Sequence, residues 1–185
     1  ALIVVLLGLA LVSYQPIVDY LSPGVNACSC PNIEDLVAEA EGKRSCVYKD
    51  SLGIPTIGIG FNLQRSDAPK LIGELGLDYN KVLNGQQCLS DAQISKLFNN
   101  DLSWASQGAK DCIKAYSQLS QCSDEVFIDM TFNMGYHSLC SWTTLNNYLS
   151  AKNFEGAASY IEGTLYCRQV GHRCTRNTGL LRQCH

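Results

Sequence analysis

The sequence predicts an α+β protein, mainly helical, with a small N-terminal lobe built on a β-hairpin or short sheet and a larger C-terminal helical lobe. Three observations carry this. Two short strand-like runs, 45–49 and 56–60, flank one tight turn in the first third of the chain. Beyond about Asp67 apolar residues recur at helical spacing. The chain has 185 residues, 46% hydrophobic and 17% charged, which is enough apolar surface for one domain or two lobes sharing a core and too little charge for disorder.

The elements follow in order. Ala1 to Val12 is an uncharged apolar run of signal-peptide h-region length, so residues 1–13 read as a signal-like segment. Residues 14–30, with Pro16 and Pro23, read as an arm or pro-segment, and residues 31–185 as the functional domain. No apolar run reaches the roughly 20 residues needed to span a bilayer, so stable membrane insertion is not expected. Asn32 can cap a helix whose apolar positions Ile33, Leu36, Val37 and Ala40 follow i, i+3, i+4, i+7, ending at Glu41-Gly42. The strand Ser45–Lys49, the turn Asp50-Ser51-Leu52-Gly53 and the strand Thr56–Gly60 make the hairpin. The glycines at 58 and 60 keep the second strand thin, which suits backbone lining a cleft.

Downstream, Ser90-x-x-Gln93 is a capping box opening a helix to about Ala109. Cys122-Ser123-Asp124 opens an apolar helix that Gly135 stops, and further helices cover Trp142–Leu149 and Asn153 to about Glu162. Trp104 and Trp142 read as packing residues, with sugar platforms as the alternative, and His137 and His172 as surface residues.

Charge and cysteine use narrow the function. The net charge is −3 and no block of Lys or Arg stands out, which argues against a nucleic-acid partner. The ten cysteines (Cys28, Cys30, Cys46, Cys88, Cys112, Cys122, Cys140, Cys167, Cys174 and Cys184) include no CxxC pair, and the three histidines stand far apart. No metal site is expected from that spacing. An even count spread over the chain reads as a disulfide framework formed in an oxidising, extracellular compartment, with the pairing left open.

Glu41, Asp50 and Thr56 cluster around the hairpin. A helix C-terminus points carbonyl oxygens at its surroundings and disfavours a carboxylate's charge, which suits a general acid. A carboxylate in a turn rich in N–H groups stays ionised more naturally. Two carboxyl groups in different environments beside a cleft is the arrangement used for glycosidic bond hydrolysis.

The local run sharpens that reading. Glu41-Gly42, then Tyr48-Lys49-Asp50 with the Asp nine residues beyond the Glu, then Thr56-Ile57-Gly58-Ile59-Gly60 six residues further on, closely resembles the phage-type (T4-like) lysozymes, glycoside hydrolase family 24. Asp101-Leu102 with Trp104-Ala105, Phe132-Asn133-Met134-Gly135, Trp142-Thr143-Thr144-Leu145 and Asn153-Phe154 with Ala157-Ala158 extend the resemblance over roughly Pro31 to Leu181.

The resemblance implies a lysozyme-like fold and a muramidase acting on bacterial peptidoglycan, for antibacterial defence or digestion. Glu41 would be the general acid, Asp50 the carboxylate that activates water and Thr56 the hydroxyl that positions it, with Asn62, Phe132 and Asn133 lining the sugar cleft. No cofactor is implied, because the acid/base pair suffices, and a monomer is expected. Two departures stand out. Phe61 replaces the family's frequent His after the Thr-Ile-Gly-x-Gly run, and the cysteines point to a secreted version like the phage-type lysozymes of molluscs. The competing reading is a non-catalytic peptidoglycan-binding protein on the same scaffold.

Overall fold

The computed structural model describes residues 30–50 and 52–185, so the signal-like run, the arm up to residue 29 with its Cys28, and Ser51 lie outside the described residues. The first helix, α1 (Ile33–Glu41), forms as its pattern demands. The Asn32 side chain accepts from the Glu34 N–H, Leu36 and Val37 are buried, and Gly42 ends it at φ 72°. Strands β1 (Arg44–Lys49), β2 (Pro55–Gly58) and β3 (Phe61–Asn62) then form an antiparallel sheet in the order β1-β2-β3.

The expected hairpin forms from β1 and β2, and the third strand extends it into a short sheet. The run to Gly60 is not one strand, because Gly58 (φ 68°) and Gly60 (φ 71°) take left-handed backbone and turn the chain back on itself. Thr56 of the central strand thus stands between Tyr48 and Asn62. Residues directly opposite in an antiparallel pair present their side chains to the same face, so these three form one row.

Next come α2 (Ala68–Glu74), α3 (Tyr79–Leu83) and the long α4 (Asp91–Cys112), whose expected Ser90/Gln93 capping box is fully formed. A helical lobe follows: α5 (Gln121–Met134), α6 (Tyr136–Cys140), α7 (Thr143–Ser150), α8 (Phe154–Glu162), α9 (Leu165–Val170) and α10 (His172–Gln183). The α5 helix begins slightly earlier than its sequence suggests, because Ser120 rather than a residue of the Cys122 run accepts the capping N–H.

Two apolar clusters make the core. One gathers Ile57, Phe61, Leu63, Ile72, Val82 and Leu89 under the sheet, and the other Val126, Phe127, Met130, Leu139, Leu145 and Ile161 in the helical lobe. Each fully buried side chain of this size contributes about 1.5–3 kcal/mol. Helix α4 serves both: Ile94 and Leu97 belong to the first cluster, Ala109 and Cys112 to the second.

Disulfides join Cys30–Cys122, Cys46–Cys88, Cys112–Cys140 and Cys167–Cys174, and Cys184 is also disulfide-bonded. No described cysteine is free. Among the described residues no helix is long and apolar enough to cross a membrane, and no group of three or more His, Cys, Asp or Glu is placed to hold a metal.

Candidate active site

Glu41 is the last residue of α1, and the turn at Gly42 sends the chain into β1. Its Oε1 accepts from Arg173 Nη1 at 2.6 Å, and the side chain keeps 23% of its exposure. Its Oε2 faces the turn after β2, where a Cβ on Gly60 would lie 3.1 Å away. The Gly60 backbone therefore backs directly onto the carboxyl.

Asp50 closes the β1–β2 turn. Its Oδ1 accepts from the backbone N–H groups of Leu52 (2.8 Å) and Ile54 (2.9 Å), so one oxygen builds the loop. Thr56 is buried, and its hydroxyl donates to the Ile54 carbonyl at 3.0 Å, which leaves the oxygen's lone pairs as acceptors. Tyr48, opposite Thr56 on β1, lies within the electrostatic reach of both carboxylates. Its phenol pKa is raised first by burial, then by the charge of Glu41 and, more weakly, of Asp50, against the lowering effect of Arg44.

A cleft of about 700 Å³ opens beside Gly60, lined also by Asn62, Arg65, Asp101, Trp104 and Phe132. Of the expected sugar-cleft residues, Asn62 and Phe132 meet here. Asn62 Oδ1 accepts from the Gln64 N–H at 2.7 Å, and the half-buried Phe132 ring tilts against Phe98 at 5.7 Å. Asn133 does not join them; it is exposed and lines a second hollow of about 450 Å³ with Glu41, Gln169, His172 and Arg173. Arg65 reaches across the first cleft, its Nη1 donating to both oxygens of Asp101 (2.7 and 2.8 Å), while Nε and Nη2 hold Asp67. Burial pushes the Asp101 carboxyl up, with Arg65 acting in the opposite direction.

The residues that sequence reasoning missed stand behind Glu41. Arg173 is buried and uses its remaining donors on Asp129, Nε to Oδ2 at 3.0 Å and Nη2 to Oδ1 at 2.9 Å. Burial alone would lower the guanidinium's pKa, but Asp129 and Glu41 together hold it above its ordinary value. Asn177 donates to Asp129 Oδ2 at 2.6 Å, and Arg176 stands 3.4 Å from the same oxygen while also reaching the Leu36 carbonyl. The fully buried Asp129 thus orients the arginine that orients Glu41. One signal was present in the sequence: Arg173, Arg176 and Asn177 recur at helical spacing in a C-terminal stretch with no acidic residue after Glu162.

Comparison with known proteins adds independent information. The phage lysozyme family matches residues 38–182. The endolysin of Salmonella phage P22 is 29% identical over 118 residues, covering 64% of this chain and 70% of its own. Two probable T4-type lysozymes of Dictyostelium discoideum are 23% and 24% identical, covering 78% and 82% of this chain and 90% and 97% of their own. The family match spans Glu41, the sheet, the cleft and all but the last residue of α10, and the chain belongs to the phage lysozyme family.

Proposed function

We propose that the protein is a secreted muramidase hydrolysing the β-1,4 bond between N-acetylmuramic acid and N-acetylglucosamine in bacterial peptidoglycan, with Glu41 as general acid and Asp50 and Thr56 as the water-handling pair. What supports the reading is Glu41 at a helix end with its Oε2 against Gly60, where the cleft begins, while Asp50 in the β1–β2 turn and Thr56 on β2 stand on the sheet side. Membership of a lysozyme family supports a peptidoglycan substrate. The disulfides support an oxidising, extracellular compartment.

The bonding pattern assigns the atoms. Arg173 occupies Oε1 of Glu41, so Oε2, turned toward Gly60, is the oxygen that would deliver the proton to the leaving sugar. The Thr56 hydroxyl hydrogen is committed to the Ile54 carbonyl, so toward a water this oxygen accepts. A water donating one hydrogen to Thr56 and the other to Asp50 Oδ2 directs its lone pair at the anomeric carbon, and Asp50 takes the proton as the bond forms. The sugar product gains the hydroxyl and the leaving sugar gains the proton of Glu41, which balances the hydrolysis. The test is clearance of purified bacterial cell walls with assay of new reducing ends. The wild type should clear them, and Glu41→Gln should bind walls without cutting, because an amide donates no comparable proton. Intact walls under the wild type would overturn the proposal in favour of a binding protein.

A further inference from the structure

Trp104 does not pack as its sequence context suggests. Trp142 does, edge-on to Tyr160 and Tyr166, whereas Trp104 remains 65% exposed on α4. An exposed indole gains little for folding, and its surroundings are built. Its ring lies 6.2 Å from that of Tyr136, which in turn packs, tilted by 35°, against His137 at 3.9 Å. Tyr136 is seated against α4 because Gly108 has no side chain: a Cβ there would lie 2.7 Å from the Tyr136 Cβ. The Cys112–Cys140 bridge ties the end of α4 to α6, the short helix that Tyr136 opens. The aromatic pair is therefore held from two sides.

Trp104 also stands at a boundary. It lines the 700 Å³ cleft that starts at Gly60, and equally an adjoining hollow of about 440 Å³ formed with Gln107, Gly108, Asp111 and Tyr136. Asp101, Trp104, Gly108 and Asp111 follow one another on one face of α4. Each side of the indole thus carries a polar pair. Arg65 holds Asp101 on one side, and Gln107 Nε2 donates to Asp111 Oδ1 at 2.8 Å on the other. An apolar platform rimmed by carboxylate, guanidinium and amide groups matches a pyranose ring, whose C–H face is apolar and whose hydroxyl edge needs donors and acceptors.

We propose that Trp104 and Tyr136 form a sugar-stacking subsite that carries the glycan strand from the catalytic cleft over the edge of α4, so that the protein prefers long strands to short fragments. The proposal deepens the peptidoglycan reading above and rests on it for the identity of the sugar. The polymer's stem peptide is the other chemistry that the same surface would meet, and the stacked indole favours the sugar over it.

The test uses the full chain carrying Glu41→Gln, so that ligands survive, titrated with peptide-free glycan strands of two sugars and of eight or more. Long strands should shift Trp104 fluorescence to the blue and shield it from a soluble quencher. Trp104→Ala should weaken their binding about tenfold while leaving the disaccharide unchanged, and Trp104→Phe should restore most of the loss. In the otherwise wild-type enzyme, Trp104→Ala should raise KM for long strands by a similar factor with kcat preserved. Equal binding by the alanine variant and its parent overturns the subsite. So does a fluorescence response to the stem peptide alone and not to the strands. Length-dependent binding through Trp104 by a protein that cleaves no glycan would uphold the subsite and overturn the muramidase assignment.

Discussion

Replacing Arg173 with Met tests the support behind Glu41. Asp129 is 0% exposed and accepts two charged hydrogen bonds from Arg173, at 2.9 and 3.0 Å. Removing one partner of a buried pair leaves an uncompensated charge, which costs about 3–5 kcal/mol. Asn177 at 2.6 Å and Arg176 at 3.4 Å remain to solvate the carboxylate, which places the cost at the lower end, about 3 kcal/mol. In a chain of this size that lowers Tm by about 6–12 °C. Arg173→Met with Asp129→Leu should recover much of the loss, because the second change removes the stranded charge. Calorimetry at neutral pH reads the stability, and wall clearance reads the other arm of Arg173. With Oε1 released, Glu41 should lose orientation, so kcat should fall further than KM rises. A Tm change under about 3 °C in the single variant would refute the buried-charge argument.

Three other outcomes are expected. Gly60→Ala combines a φ of 71° with a Cβ placed 3.1 Å from Glu41 Oε2, so it should cost about 1–2 kcal/mol in denaturant titration and reduce activity disproportionately. Burial, and to a lesser degree Glu125, raises the Asp124 carboxyl from 3.8 to about 6 against the pull of Lys110; the folded state then binds the extra proton, so this group's stability contribution is present below about pH 4 and is lost as pH rises through 6. The Tm difference between Asp124→Asn and the parent should accordingly grow in the mutant's favour over that window, and a constant difference would contradict it. Thr56→Ala should lose about 100-fold in rate with the fold intact, and proton NMR of the first-formed product should show inversion at the anomeric carbon; a β product would make Asp50 a nucleophile.

What could be read from the sequence, and what could not, follows chain distance. Glu41, Asp50 and Thr56 fall within one short stretch whose helix cap, turn and strand are set by neighbours, so local pattern was enough to group them. The third strand was hidden because Gly58 and Gly60 read equally as a thin strand and as a reversal, and only the packing of Phe61 and Leu63 beneath the sheet decides. Asp129 and Arg173 lie 44 residues apart, and Arg173 lies 132 from Glu41, separations at which sequence pattern carries no pairing information. The resemblance groups Asn133 with Phe132, yet consecutive residues on a helix point about 100° apart and here line different hollows. Trp104 is a related case: its sequence context fits packing and a sugar platform alike, and its exposure beside Tyr136 shows which face it presents.

The arrangement of the staples bears on the chemistry. Glu41 precedes the sheet in sequence but belongs physically to the helical lobe: α1 packs on α5, Cys30–Cys122 ties the residues before α1 to that helix, and Arg173 of α10 grips the carboxyl. Asp50 and Thr56 belong to the sheet, whose own bridge is Cys46–Cys88. The remaining two described bridges lie within the helical lobe. None of these four bridges joins the element that carries Glu41 to the sheet that carries Thr56. The spacing between the two carboxyl groups decides whether a water fits, since inverting pairs stand roughly 6.5–9.5 Å apart and retaining pairs roughly 5–5.5 Å. The contacts that join the two halves here are those of α4 with β2, the Arg65–Asp101 pair, Gly60 against Glu41 and the two-residue link Gly42-Lys43 from α1 into β1. These four disulfides stiffen each half against unfolding and leave the space between Glu41 and the sheet to noncovalent contacts, so a change in Gly42 or Asp101 should alter activity at a cost in stability smaller than that of opening any of the four.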